Sequence, residues 1–302
     1  MNIKQGIIVV VLLIFVVGFG LLIAHFSDDG LNFQEHSSKV AVTIYPLYDI
    51  VQNIAGDTLE VALILPPGAS PHFYEFSPRQ LTRLQQTRVI FAIGYGIDDW
   101  LGDISNALPH AEIEQVDSGI TLRKTDEGSI DPHYWLNFPN AEIIAENVAL
   151  RLSILHPEFS EVYRQNLEQY LITLRIAEEE TQAILAPYGG EHIITLHDAW
   201  EYFADNFQLT ILGTFESEAG AEPTPQYLSS LQKAIKDYSI TLIFAESQFS
   251  NTSVENFAKS NGIGIALLDP LGGVFGRESF IELMRYNAQT IFDAFLAREG
   301  QE

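Results

Sequence analysis

PEFSEVYRQNLEQYLITLRIAEEETQAILAPYGG, residues 157–190, is the longest periodic stretch of the chain. Phe159, Val162, Tyr163, Leu167, Tyr170, Leu171 and Leu174 recur at steps of mostly three and four residues, which lines them up as one apolar stripe along an α-helix. Pro157 opens the segment, and Pro187-Tyr188-Gly189-Gly190 ends it. The roughly 28 residues from Glu158 to Leu185 would extend about 42 Å at 1.5 Å each, more than one small domain needs. Such a helix reads as a strut between two bodies. A 302-residue chain with 47% hydrophobic residues can supply two domains, each with a sizeable core.

On both sides of the strut, apolar runs alternate with helical patterns. Upstream, Lys39–Tyr45, Leu59–Leu65, Arg88–Ile93 and Ile113–Val116 read as strands. Helices are expected over Leu47–Ala55, Ser77–Gln86, Asp98–Leu108 and, with Asn140 as N-cap, onward to Leu155. Downstream, strands His192–Leu196, Gln208–Leu212, Ile240–Ala245 and Gly264–Leu268 alternate with helices Ala199–Asn206, Pro225–Tyr238, Thr252–Ser260 and Ser279–Arg298. Strands that are apolar throughout are covered on both faces, the mark of a parallel sheet in an α/β fold. The expected architecture is two parallel-sheet lobes with flanking helices, joined by one long rigid linking helix, with a cleft between lobes. The corresponding divisions are a membrane anchor or signal segment at 1–25, a tether at 26–38, a lobe at 39–156, the linking helix at 157–186 and a second lobe at 187–302.

Every residue from Gly6 to Ala24 is apolar or glycine, a run of about 19 that as a helix can cross a bilayer core. Lys4 precedes it and Asp28, Asp29 and Glu35 follow it, an asymmetry that puts the bulk of the chain outside the membrane. Gly18-Phe19-Gly20 makes a poor cleavage site, so an uncleaved anchor is favoured over a cleaved signal. The net charge of −24, from 40 acids against 16 bases, argues against a nucleic-acid partner, since phosphate binding needs a basic face. There is no cysteine, so any metal site is built from His, Asp and Glu.

Open parallel sheets bind ligands beyond the carboxyl ends of their strands. His72 lies in the proline-rich loop after the second strand, and His133 in the rigid turn Asp131-Pro132-His133. His197 directly follows the strand ending at Leu196, and Asp269 directly follows Leu268. Two come from each lobe, all on edges that can face one cleft, and together they make the four-coordinate set that zinc prefers. Asp198 and Glu246 also sit at strand ends and compete as alternative ligands or as acceptors behind them, and Trp135 flanks His133 as a further supporting residue. The other histidines converge on nothing: His25 at the membrane boundary, His36 in the tether, His110 and His156 beside prolines, and His192 at a strand start.

The blocks Gly68-Ala69-Ser70-Pro71-His72-Phe73-Tyr74-Glu75, Asp131-Pro132-His133-Tyr134-Trp135-Leu136, His197-Asp198-Ala199-Trp200-Glu201-Tyr202-Phe203 and Leu268-Asp269-Pro270-Leu271-Gly272-Gly273 resemble, in order, motifs of the zinc- and manganese-binding receptors of ABC-type metal importers. Glu222-Pro223-Thr224-Pro225 and Phe244-Ala245-Glu246-Ser247-Gln248-Phe249-Ser250 look like two more family blocks. The resemblance implies an extracytoplasmic, monomeric receptor that holds one divalent ion between its lobes and delivers it to a membrane permease. It makes His72, His133, His197 and Asp269 the ligands. A histidine at the third position looks like the zinc branch, with Mn2+ or Fe2+ as alternative cargo. The chain departs from the pattern in three places. Asp117–Ile130 has no histidine where zinc receptors often carry a His-rich loop, Asn137-Phe138-Pro139 replaces an Asp-Pro pair, and no cysteine is present for lipid attachment. A receptor is no enzyme, and neither a His-Glu-x-x-His pair nor a Gly-x-Ser-x-Gly elbow is present. The rival readings are a secreted zinc metallohydrolase and an adhesin stabilised by its metal.

Overall fold

The structure is a computed structural model and describes residues 39–125, 128–216 and 219–300. The apolar run Gly6–Ala24 and the tether fall outside the described residues. Among the described residues no helix is long and apolar enough to cross a membrane.

Strands β1 (Lys39–Val42), β2 (Glu60–Leu63), β3 (Thr87–Ala92) and β4 (Glu112–Gln115) form a parallel sheet in the order β2-β1-β3-β4. Strands β5 (His192–Thr195), β6 (Thr210–Thr214), β7 (Leu242–Glu246) and β8 (Gly264–Leu268) form a second, in the order β6-β5-β7-β8. Alternate residues of the inner strands enter different cores, which is why the runs read as solidly apolar. Val40, Val42, Val89 and Phe91 join one cluster, while Ala41, Ile90 and Ala92 join another with Leu101, Ile104 and Leu108.

Helices α1 (Tyr45–Ala55), α2 (Leu81–Leu84), α3 (Leu101–Ala107) and α4 (Phe138–Leu155) belong to the first lobe. Helices α6 (Glu201–Phe207), α7 (Pro225–Asp237), α8 (Thr252–Asn261) and α9 (Phe280–Glu299) belong to the second. The linking helix α5 (Ser160–Leu185) has short 3-10 turns at both ends, Pro157–Phe159 and Ala186–Tyr188. It buries Tyr163, Tyr170, Leu174, Ala177, Thr181 and Leu185, and packs on α1 and α4 of one lobe and α9 of the other.

Three sequence expectations need correction. The helix expected from Ser77 to Gln86 shrinks to α2, because Ser77–Gln80 forms a turn in which Gln80 Oε1 accepts the Ser77 N–H, and Gln86 leaves with φ 78°. The cap of α4 is Asn137 rather than Asn140: the Asn137 side chain accepts from the Asn140 N–H. The two lobes also do not keep separate cores. One apolar cluster runs from Val40 and Phe91 through Tyr134, Phe138, Tyr163 and Leu174 to Phe203, Phe244 and Met284. The faces of α4, α5 and α9 are shared, so burial continues across the junction.

Polar contacts cross it too. Trp135 Nε1 donates to Pro270 O at 2.8 Å, the Phe138 N–H to Asn206 Oδ1 at 3.0 Å, and Tyr45 Oη to Glu278 O at 2.7 Å. At Gly273 (φ 75°) an added Cβ would lie 2.6 Å from the Tyr45 ring, so this approach between lobes requires glycine.

Candidate metal centre

Each of the three clustered histidines is aimed by local chain geometry. After β2, Ile64 and Leu65 still donate to Val42 and Thr43, and the chain then turns into the 3-10 turn Pro71–Phe73 that carries His72. In the Asp131-Pro132-His133 turn, the Asp131 carboxylate accepts the His133 main-chain N–H at 2.9 Å and fixes the bend. His197 stands two residues past β5, where its carbonyl accepts from Thr195 Oγ1 and from the Ala199 N–H. The ring centroids form a nearly equilateral triangle, with separations of 5.6 Å (His72–His133), 5.5 Å (His72–His197) and 5.3 Å (His133–His197). One nitrogen from each ring lies within 4.8 Å of the others. Tetrahedral zinc with bonds near 2.05 Å needs nitrogens about 3.3 Å apart, a closure of at most about 1.5 Å.

The tautomers follow from the partners. Asp131 Oδ1 lies 2.8 Å from His133 Nδ1, and Glu246 Oε1 lies 2.7 Å from His197 Nδ1. An ionised carboxylate only accepts, so each Nδ1 carries the proton and each Nε2 lone pair is free. Both Nε2 atoms are buried and have no hydrogen-bond partner among the described residues. A buried nitrogen left unpaired is costly, and coordination to a cation would satisfy it. Glu246, fully buried, also accepts from Trp200 Nε1 at 3.1 Å, which holds the carboxylate in place. Phe249 lies beside His197 at 4.9 Å between centroids.

Burial, reinforced by the neighbouring His133 and His197, pushes the His72 pKa down to about 3, so this ring is neutral throughout the physiological range. For His197 burial pulls the same way, but the Glu246 carboxylate, with Asp198 and Glu216 behind it, outweighs it and raises the pKa above the usual 6.5. The three histidines line a cavity of about 10 Å³ with Trp135, Gln248 and Phe249, room for little more than one water-sized sphere. They also line a wider cavity of about 710 Å³ that includes Tyr95, Arg123, Asp198 and Glu201.

Asp269 does not join the gathered donors. Its Oδ1 accepts from the Leu271 and Gly272 N–H groups at 2.9 and 3.1 Å and from Gln248 Nε2 at 2.7 Å, while Oδ2 lies 3.3 Å from Arg277 Nη1. Asp198 faces the wider cavity, Glu246 supports His197, and the Trp135 ring lies 5.3 Å from His133. Of the other histidines, His192 lies tilted against Tyr238 at 4.5 Å between ring centroids, His156 bonds to Glu158 and His110 is exposed. His25 and His36 lie outside the described residues. Sequence reasoning missed the role of Asp131, whose signal was its spacing two residues before His133. It also missed Arg277, for which no local signal exists, and placed Phe249 in a motif block without giving it a role.

The family model for the periplasmic component A of the zinc-uptake complex, ZnuA, matches residues 40–294. The zinc-binding protein AdcA of Streptococcus pyogenes serotype M3 is 25% identical over 287 residues, covering 85% of this chain and 56% of AdcA. The chain thus spans about half the length of that relative. The manganese-binding lipoprotein MntA of Halalkalibacterium halodurans is 26% identical over 270 residues, covering 87% of this chain and 90% of MntA. A crystal structure of ZnuA superposes with a TM-score of 0.78 at 31% identity, covering 85% of this chain and 98% of that one.

Proposed function

This chain belongs to the ZnuA family of periplasmic zinc-uptake components, and we propose that it captures one Zn2+ ion outside the membrane and hands it to the permease of an ABC importer. The observation that carries the proposal is the pair of buried, unpartnered Nε2 atoms of His133 and His197, facing His72 with their Nδ1 protons held by carboxylates. Carboxylate-supported imidazoles of fixed tautomer are the usual dress of a zinc ligand. His72, His133 and His197 hold the ion. The family consists of binding receptors rather than enzymes. A receptor needs the ion bound and released with no chemistry between.

Mn2+ is the second reading, favoured by the likeness to a manganese-binding lipoprotein over 90% of its length. The donor set argues the other way, since imidazole nitrogens suit zinc and oxygen donors suit manganese. The receptor works as a monomer built of the lobes 39–156 and 187–302 with the linking helix 157–186 between them. It is tethered by the Gly6–Ala24 run, or is free in the periplasm if that segment is removed.

The test is metal content by elemental analysis, with zinc-against-manganese competition, on the wild type and on His197→Ala. One zinc per chain, lost in the variant while circular dichroism is unchanged, is the expected result. A preference for manganese would change the cargo, and no stoichiometric metal in the wild type would end the reading.

A further inference from the structure

Asp269 is buried, 1% exposed, directly behind the small cavity of the three histidines: Gln248, Pro270 and Leu271 line that cavity, and Gln248 donates to its Oδ1. The carboxylate is nevertheless turned to other partners. Oδ1 takes two main-chain N–H groups and one amide, and Oδ2 faces the Arg277 guanidinium. The Asp269 main chain is fixed as well, its N–H donating to Asn287 Oδ1 at 2.9 Å and its carbonyl accepting from Asn287 Nδ2 at 2.7 Å. Arg277 is held by its own contacts. Its Cζ lies 4.3 Å over the Tyr286 ring, and its carbonyl accepts from the Gly273 N–H at 2.8 Å, closing the loop that both charges share. A buried carboxylate needs such a counter-charge. The consequence at the site is that, among the described residues, the donors gathered in one place are nitrogens only.

Resting on the reading of the three histidines as a transition-metal site, we propose that Arg277 is a specificity-determining residue. By pairing with Asp269 it withholds a hard oxygen donor from the bound ion. A nitrogen-only set penalises manganese, which draws its affinity from oxygen ligands, more than zinc. Arg277 therefore sets the preference for zinc without touching the ion.

The experiment is competition titration of the full chain with zinc and with manganese, on wild type, Arg277→Gln, Arg277→Lys and Asp269→Asn, with thermal melting to verify folding. Freeing Oδ2 should raise manganese affinity about tenfold, the scale of one charge-assisted contact, and zinc affinity by less, so the zinc-to-manganese ratio falls in Arg277→Gln. Arg277→Lys should keep the wild-type ratio, and the double variant Asp269→Asn/Arg277→Gln should lose the manganese gain. Asp269→Asn alone should change zinc affinity less than about threefold, because a withheld carboxylate is no ligand. An unchanged or higher ratio in Arg277→Gln overturns the proposal, as does a loss of about a hundredfold in Asp269→Asn. That second variant decides the matter if Arg277→Gln does not fold. A wild type that binds neither metal refutes the metal-site reading itself, a different result from either of these.

Discussion

Replacing Glu246 by Gln changes one charge directly behind His197. The carboxylate accepts from His197 Nδ1 at 2.7 Å and from Trp200 Nε1 at 3.1 Å, and an amide oxygen can accept both bonds in the same place. Shape and tautomer therefore survive, and the loss is electrostatic. Partners of this kind are worth about 10- to 100-fold in metal affinity, or roughly 1.4–2.7 kcal/mol. The size of the deficit should depend on pH. Glu246 holds the His197 proton as well as tuning its lone pair, and the raised pKa means the wild type must expel a proton that the variant binds less tightly. The expected result, by competition against a chelator of known affinity, is a full deficit at about pH 8 that narrows towards about pH 6. A deficit that stays constant or widens on acidification would refute the assignment of the His197 proton to Glu246. An affinity equal to wild type at every pH would refute the supporting role altogether.

Asp131→Asn removes the charge behind His133 and should cost about tenfold or more in zinc affinity in the same titration, with little change in melting temperature. Trp135→Phe leaves the Pro270 carbonyl without its donor across the lobes and a partly empty site where the indole stood. A loss of about 2 kcal/mol, measured by urea unfolding, is expected. The metal-free protein should lose stability as pH falls from 6.5 towards 3, because folding favours neutral His72, whose folded pKa is lowered. His197, with its raised pKa, acts with the opposite sign: its contribution is present at low pH and fades as pH rises past its folded value. Melting curves of wild type and His72→Gln across that range separate the two, and a variant as acid-sensitive as wild type would count against the His72 assignment.

The sheets were legible because burial on both faces removes the alternation of strands and leaves runs such as Arg88–Ile93 that little else explains. His197 was legible because it closely follows a strand, and His72 and His133 because proline-bearing turns and the motif blocks around them marked them. Short irregular pieces were not. Ser77–Gln86 has helix-compatible residues, yet a side-chain bond between Gln80 and Ser77 fixes a turn instead. Asn137 and Asn140 are both plausible caps by composition, and only the hydrogen bond between them decides which one is. The pairing of His197 with Glu246 depends on β5 lying beside β7, an adjacency that chain order does not give. The state of Asp269 depends on Arg277, eight residues along a glycine-rich loop, where side-chain direction follows the partner rather than any periodicity.

The strand order β2-β1-β3-β4 recurs as β6-β5-β7-β8, so by topology the second lobe duplicates the first. In that correspondence the loop after β2, with His72, matches the turn after β6, with Glu216, and the turn after β4, with His133, matches the loop after β8, with Asp269. One half offers nitrogen at the two positions where the other carries carboxylate. The duplication thus lets matching loops carry different chemistry, while His197, after β5, brings the second lobe's own nitrogen to the cluster. The loops of one copy can therefore change what they carry while the other keeps its loops, its sheet and its share of the core.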